Sequence, residues 1–189
     1  MLKFLLLAPA AALLMAAVPP PAVPAPIAGL ATPPEVAANP ANRLTLLLST
    51  GKSVVIQLRP DLAPNHIARI QQLVRSGFYD GLTFHRVIPG FMAQGGDPQG
   101  TGEGGSPLPD LKAEFTAVPF LRGTVGAARA QSPDSANSQF FIMFAPEPAL
   151  DNKYTVLGRV ISGMDGVDGM AVGEPPAEPT KIVKANLGG

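Results

Sequence analysis

The chain has 189 residues, with 14 basic and 14 acidic side chains, 46% hydrophobic residues and no cysteine. The balanced charge argues against a nucleic-acid-binding surface, and the lack of cysteine excludes disulfides, thiol nucleophiles and thiolate metal sites. The 22 prolines and 20 glycines favour turns and short strands over long helices. This composition is typical of one domain with a short appendage.

Residues 1–18 have the pattern of an export signal. Lys3 supplies the positive start, and residues 4–18 form an apolar run rich in leucine and alanine. The run is shorter than the about 20 residues that a membrane-spanning helix needs. We predict cleavage after Ala17 or as late as Ala25, and no membrane span once the signal is removed. An N-terminal core helix is the alternative, but the prolines in and after the run disfavour it.

Residues 19–42 are rich in proline and alanine, which predicts an extended linker that packs no core. The folded domain is predicted to cover residues 43–189. It opens with two strands, at 44–49 and 54–58, around the hairpin turn Thr50-Gly51-Lys52. The Gly-Lys-Ser of this turn is not a phosphate-binding loop, because Leu46 stands where that motif requires glycine.

A helix is predicted over residues 64–76, where apolar side chains recur at helical spacing until Gly77 ends it. His66, in its first turns, is expected to pack or face solvent rather than catalyse. The remaining predicted elements are short: a glycine- and proline-rich surface loop at 95–109, a helix at 164–170, and strands at 82–88, 123–128, 138–144, 155–161 and 180–184. Many short strands with few helices indicate a barrel or a sandwich.

The segment 84–97, FHRVIPGFMAQGGD, holds one arginine in an otherwise apolar, strand-like run. Strand alternation places Arg86 on the opposite face from His85 and Val87. An arginine in such a run is costly to bury unless its five donors find acceptors. A fixed cation beside an apolar pocket can bind and polarise an uncharged substrate.

No conventional catalytic set can be assembled from the chain. Its two histidines form no helical ligand pair, and no Gly-x-Ser-x-Gly motif occurs. We therefore expect a reaction that needs no nucleophile, metal or cofactor. Rotation about a peptide bond is such a reaction.

Three blocks resemble the signatures of cyclophilins, which are peptidyl-prolyl cis-trans isomerases: FHRVIPGFMAQGGD at 84–97, SQFFIMF at 138–144 and ALDNKYTVLGRV at 149–160. The resemblance covers about residues 43–185, and RGTVGAARAQSPDSANSQFF at 122–141 is similar to the bacterial branch, whose members often carry export signals. It implies a mainly β fold, a closed eight-stranded antiparallel barrel capped by two α-helices.

The resemblance makes Arg86 the catalytic arginine. It assigns an apolar pocket for the substrate proline ring to Phe91, Met92, Phe141 and Leu150. From spacing alone these four residues would be assigned to the core, and Arg86 alone could be an edge-strand charge.

The other implied substrate-binding residues surround this pocket. Gln94 matches a residue that contacts the substrate backbone, Gln139 supports the arginine, and Tyr154 takes a rim position. The backbone of Ala128, Arg129 and Ala130 matches the segment that pairs with the peptide, so the Arg129 side chain can simply be solvated.

Two residues depart from the family pattern. Ala149 stands where relatives often have Trp or Phe, and Ala127 where bacterial relatives usually have Met. The first departure predicts a looser pocket wall and weak cyclosporin binding. Neither removes the arginine, so activity is expected to survive.

These features together predict a monomeric, periplasmic prolyl isomerase that needs no cofactor and assists the folding of envelope proteins. Its partners would be proline-containing polypeptides, not nucleic acid. Two alternatives stay open. One is a binding module or holdase that grips proline-containing segments without turnover, and the other is a membrane-tethered form in which residues 1–18 are retained.

Overall fold

The computed structural model describes residues 29–188. The predicted signal and the first part of the predicted linker lie outside this range. None of the helices within it is long and apolar enough to cross a membrane.

In the described part of the chain, eight antiparallel strands form a single sheet, with the spatial order β3-β4-β6-β5-β7-β2-β1-β8. The β1–β2 pair is the predicted hairpin, and Gly51 at its turn has a φ of 80°. The strand bounds are β1 Arg43–Leu48, β2 Ser53–Leu58, β3 Phe84–Ile88, β4 Met92–Gly95, β5 Thr124–Ala127, β6 Phe140–Met143, β7 Val156–Ser162 and β8 Ile182–Leu187. The sequence did not indicate β4, which is only four residues long.

The sheet is curled, and β3 and β8 are its two end strands. Backbone bonds between the segments 81–84 and 180–182 bring these ends together, with Phe84 N donating to Thr180 O (2.8 Å) and Ile182 N to Leu82 O (2.8 Å). This contact is a short bridge and not a strand-to-strand ladder. The fold is therefore mainly β, an open half-barrel, and the closed barrel implied by the resemblance is not confirmed.

Within residues 29–188, three α-helices accompany the sheet: α1 Pro34–Ala38, α2 Pro64–Arg75 and α3 Met164–Asp168. Single 3-10 turns lie at Pro40–Asn42 and Pro148–Leu150. Within α2, the apolar stripe Ile67, Ile70, Leu73 and Val74 is buried, and the helix packs against β8. Gly77 follows the helix with a φ of 72°.

Residues 34–42 differ from the extended segment that their composition predicts. They form α1 and a 3-10 turn, each with proline in its first turn, where the missing N–H costs nothing. Val36 is buried, and Asn42 donates from Nδ2 to Val36 O (3.1 Å). Gln57 Nε2 in turn donates to Asn42 O (3.0 Å), so this stretch packs on the sheet.

His66 and Glu114 tie α2 to the loop before β5. Glu114 accepts hydrogen bonds from the backbone N–H groups of Asn65 (3.1 Å) and His66 (3.1 Å), and from His66 Nδ1 (2.6 Å). Burial raises the pKa of Glu114, but these hydrogen bonds outweigh it and hold the pKa below its ordinary value. His66 is thus a packed residue at a helix start, as predicted.

Strand alternation divides the buried side chains into two clusters. On one face of β4 and β6, Ala93, Phe140 and Ile142 join the large cluster between the sheet and α2. On the other face, Met92 and Phe141 join a smaller cluster with Phe120. The sheet is therefore apolar on both faces here, and the smaller cluster forms the base of the candidate site.

Gly126 on β5 allows this smaller cluster to pack. It lies opposite Phe141 in the β5–β6 register, and a Cβ at this position would overlap the Phe141 ring and lie 2.7 Å from Phe120 Cε1. The two rings stack at a centroid distance of 5.7 Å. Glycine is required here for space.

We predict that Gly126→Ala destabilises the protein by about 1–3 kcal/mol, the usual cost of overpacking. Urea unfolding measures the change. The control is Gly169→Ala, because Gly169 has a φ of −86° and the nearest atom to an added Cβ is 3.4 Å away, an ordinary contact. Equal stability of the two variants would contradict the packing role of Gly126.

Candidate active site

A pocket of about 130 Å³ opens on the outer face of β3, β4 and β6. Nine residues line it, and all are residues that the sequence assigned to the site: Arg86, Phe91, Met92, Gln94, Ala128, Arg129, Phe141, Leu150 and Tyr154. A larger concavity of about 480 Å³ lies between α2 and β8, and none of those nine residues lines it.

The base of the pocket is buried and apolar. Met92 and Phe141 are buried, with exposures of 2% and 5%. Phe120 stacks behind Phe141, and Tyr154 meets the Phe141 ring edge-on at a centroid distance of 5.7 Å. Such aromatic packing fixes the shape of the cavity.

Arg86 lies on the end strand β3 at the side of this pocket. Its neighbour Val87 is buried, whereas the Arg86 side chain is 40% exposed, so the predicted alternation is confirmed for this pair. Arg86 Nε donates to Glu174 Oε2 at 2.5 Å. Sequence reasoning did not find Glu174, which is 88 positions away along the chain.

The two predicted glutamines contact each other. Gln94 Nε2 donates to Gln139 Oε1 (2.8 Å), and Gln139 Nε2 donates to the carbonyls of Gly102 (2.9 Å) and Gly104 (2.8 Å). Among residues 29–188, Gln139 forms no hydrogen bond with Arg86, so the expectation that Gln139 supports the arginine stays a prediction. Its amide is used to hold Gln94 and the glycine-rich loop.

A second concavity of about 440 Å³ adjoins the first. Gln139 and Ala130 line it, and it shares Gln94, Ala128 and Arg129 with the first pocket. Every predicted site residue thus lies around two neighbouring depressions, which together form a groove on one face of the sheet.

The Arg129 side chain is packed, not simply solvated. Its Cζ lies 4.4 Å from the centroid of the Tyr154 ring, and its guanidinium donates to Lys153 O (3.1 Å) and Ala130 O (3.0 Å). The pair forms a cation–π wall at the rim of the pocket. The backbone N–H groups of Ala128 and Ala130 are already used, by Gln139 O (3.0 Å) and Ser135 Oγ (3.0 Å).

The two departures from the family pattern occupy different environments. Ala149 is exposed in the 3-10 turn that ends at the pocket residue Leu150. Ala127 is buried in the large cluster on the inner face of the sheet. Only Ala149 is therefore placed to alter the rim of the groove.

The loop after β4 is organised by Asp97, which the sequence analysis did not single out. Its buried carboxylate accepts from the backbone N–H groups of Gln99 (2.8 Å), Thr101 (2.9 Å), Gly102 (2.6 Å) and Gly104 (3.3 Å). Burial raises the pKa of Asp97, but these four donors outweigh it and hold the pKa below its ordinary value. A phosphate-binding loop would use such backbone N–H groups to bind a phosphate. Here they donate to the Asp97 carboxylate instead. The Gly-Gly-Asp sequence before a glycine-rich run is the signal that could have found this loop.

Neither histidine contributes to the pocket lining. Burial lowers the pKa of His85, partly opposed by the charge of Asp97, so its imidazole is neutral near pH 7. Within residues 29–188, no cluster of three or more His, Asp or Glu side chains could hold a metal ion.

The comparisons with known proteins agree with this geometry. The family model described as "Cyclophilin type peptidyl-prolyl cis-trans isomerase/CLD" matches residues 45–187. A "Probable peptidyl-prolyl cis-trans isomerase" of Brucella suis is 52% identical, over 80% of this chain and 85% of the relative. "Peptidyl-prolyl cis-trans isomerase B" of Bacillus subtilis is 44% identical, over 68% of this chain and 90% of the relative.

Solved structures give the same result. The cyclophilin AquaCyp293 from Hirschia baltica superposes with a TM-score of 0.73 at 31% identity, covering 79% of this chain and 74% of that one. A Cryptosporidium parvum cyclophilin, crystallised in the presence of the dipeptide Ala-Pro, gives a TM-score of 0.72 at 26% identity, covering 77% and 98%. Fold and sequence together define a prolyl isomerase domain. The chain belongs to the cyclophilin family and is a peptidyl-prolyl cis-trans isomerase.

We predict that Asp97→Asn destabilises the protein at pH 7 by about 1–3 kcal/mol, because an amide cannot accept from all four N–H donors. Since the folded-state pKa of Asp97 is depressed, its contribution to stability is present above the ordinary value of 3.8 and is lost as the pH falls through the folded value. Urea unfolding between pH 7 and pH 3 measures both effects.

The control for this variant is Asp110→Asn, at an exposed carboxylate with one side-chain bond, to Asn137 Nδ2 (2.9 Å). It should change stability by less than about 0.5 kcal/mol. A variant Asp97→Asn that matches the parent protein at both pH values would contradict the role assigned to this carboxylate.

Proposed function

We propose that Arg86 is the catalytic residue of this isomerase and that the 130 Å³ pocket receives the proline ring of the substrate. The observation that carries the proposal is the arrangement of a half-exposed guanidinium beside a closed apolar base. The pocket walls offer contact to a ring, while the arginine offers donors to the adjacent peptide bond.

The reaction breaks no covalent bond. Rotation about an X-Pro bond is opposed by about 18–20 kcal/mol, because the amide has partial double-bond character. In the twisted transition state the prolyl nitrogen becomes pyramidal and gains a lone pair that can accept a hydrogen bond. Arg86 donates to this lone pair, so it binds the transition state more strongly than either planar ground state.

The rest of the groove holds the substrate while one side of the bond turns. Met92, Phe141 and Leu150 contact the ring. With Gln94 Nε2 committed to Gln139, the Gln94 carbonyl is the group that can accept a substrate N–H. The Ala-Pro dipeptide used with the Cryptosporidium parvum cyclophilin supports a substrate class of proline-containing peptides for this chain as well.

We expect Arg86→Ala to lower kcat/KM by about 10²–10³, the usual loss when one preorganised donor is removed. A protease-coupled assay on Ala-X-Pro-Phe peptides measures it, with circular dichroism to verify folding. The matched control is Arg122→Ala, which removes an exposed arginine paired with Asp168 (2.7 Å) outside the groove. Near-parental activity of a folded Arg86→Ala protein would refute the assignment.

The assay also tests the alternative that the sequence left open, a binding module without useful turnover. The same assay separates the two, because the parent protein would then bind the peptide but fail to accelerate its isomerisation. The intact Arg86 and Gln94 favour catalysis.

We further propose that the protein is exported, acts as a monomer in the periplasm and assists the folding of envelope proteins. The support for export is the sequence of residues 1–18, which lie outside the described range. We also propose that cyclosporin binds weakly, because Ala149 presents no aromatic ring at the rim of the groove.

Mass spectrometry of the protein recovered from a Gram-negative host tests this location. We expect a soluble periplasmic species that begins at Val18, after cleavage behind Ala17, or as late as Pro26, after cleavage behind Ala25. An uncleaved chain in the membrane fraction would support the tethered alternative, and an uncleaved chain in the cytoplasm would contradict export.

A further inference from the structure

The carboxylate of Glu174 contacts the guanidinium of Arg86, with Nε donating to Oε2 at 2.5 Å. We infer that Glu174 is a positioning residue for Arg86, an inference that rests on the proposed catalytic role of that arginine. Within residues 29–188, no other side chain forms a hydrogen bond with this guanidinium.

The backbone places Glu174 at this point. Gly173 pairs with Val87, the residue after Arg86, through Val87 N to Gly173 O (2.8 Å) and Gly173 N to Val87 O (3.1 Å). Glu174 therefore follows directly after a residue that is bonded to β3 beside the arginine. The carboxylate and the guanidinium are held at adjacent positions before any side-chain contact forms.

Gly173 is required for this pairing. Its φ is 148°, and a Cβ would lie 2.6 Å from Pro176 Cα and 2.9 Å from Pro175 O. Two successive prolines after Glu174 restrict the backbone further, because each ring fixes φ. The backbone around Glu174 can therefore adopt few conformations.

The far end of the segment is also bonded to the sheet. Thr180 Oγ1 accepts from Ala171 N (3.1 Å), and Thr180 O accepts from Phe84 N (2.8 Å), two residues before Arg86. Both ends of the 173–180 loop are therefore hydrogen-bonded to β3, at Val87 and at Phe84. An exposed ion pair between two mobile side chains stabilises little, but here the backbone of both partners is already ordered.

The contact at Nε suits a positioning role. A guanidinium is a planar fork, so a bond at Nε fixes its plane and leaves the two terminal nitrogens for a substrate. A donor accelerates a reaction when it is oriented before the transition state forms. Gln139, which the resemblance made the partner of the arginine, is engaged with Gln94 and the glycine-rich loop, and Glu174 supplies the missing support.

The test is a double-mutant cycle on Arg86 and Glu174, read out as kcat/KM in the protease-coupled assay. We expect Glu174→Gln to lower kcat/KM about two- to fivefold in the parent protein, the range open to an exposed pair. In the Arg86→Ala background the same change should have no effect, because Glu174 acts through the arginine. The matched control is Glu178→Gln, which removes an exposed carboxylate from the same loop and should leave kcat/KM unchanged.

A second readout does not depend on turnover. The Arg86 Nε–H resonance should shift and exchange faster with water in Glu174→Gln, while the backbone amide spectrum outside the 173–180 loop stays unchanged. Glu174→Asp, which keeps the charge on a shorter side chain, should recover part of the lost activity.

Three results would overturn the inference. Glu174→Gln could leave kcat/KM unchanged, could raise it, or could lower it equally in both backgrounds. Failure of the underlying proposal is separate, because it would show as a folded Arg86→Ala protein that retains activity. Loss of activity in Arg86→Ala with no effect of Glu174→Gln would remove only the role of Glu174.

Discussion

The site depends on the register of three neighbouring strands. Gln94 on β4 and Gly126 on β5 both lie opposite Phe141 on β6, so the three residues form one row across the outer face of the sheet. The Phe141 ring packs over Gly126, where an added Cβ would overlap it. A slip of one residue would turn the row to the inner face and exchange the pocket base for core residues. The register of β4, β5 and β6 therefore determines both which side chains form the core and which form the pocket.

A polar network fixes the other side of the groove. Asp97 gathers the backbone N–H groups of the loop after β4, and that loop offers two carbonyls to Gln139, which orients Gln94. These hydrogen bonds join groups within the chain, which limits local motion, and they leave the Gln94 carbonyl as an acceptor. The orientation of Gln94 in the groove is thus determined by Gln139 and Asp97, which do not line the apolar pocket.

Much of this arrangement could be predicted from the sequence, for reasons that are local. Arg86 is conspicuous because it interrupts an apolar run, and the resemblance of residues 84–97 to the family signature assigned its role. β4 was missed because its four residues carry Met92 and Gln94 on one face and Ala93 and Gly95 on the other, so no alternation of apolar and polar residues is visible. The structure of residues 34–42 was missed because proline content argues equally for an extended linker and for the first turn of a helix.

Contacts between distant segments could not be predicted in the same way. Glu174 reaches Arg86 only because Gly173 pairs with Val87 across the fold, and nothing in the composition of the 173–180 loop indicates that pairing. The same applies to Gln139, whose residue type fits either partner and whose actual bonds depend on where the Asp97 loop folds. Family resemblance names the residues of a site but does not determine their hydrogen-bond partners in a particular chain. In the proposed mechanism, the half-exposed Arg86 can serve as a preorganised donor because the backbone is paired on both sides of it, with β4 and at Gly173, and not because the side chain is buried.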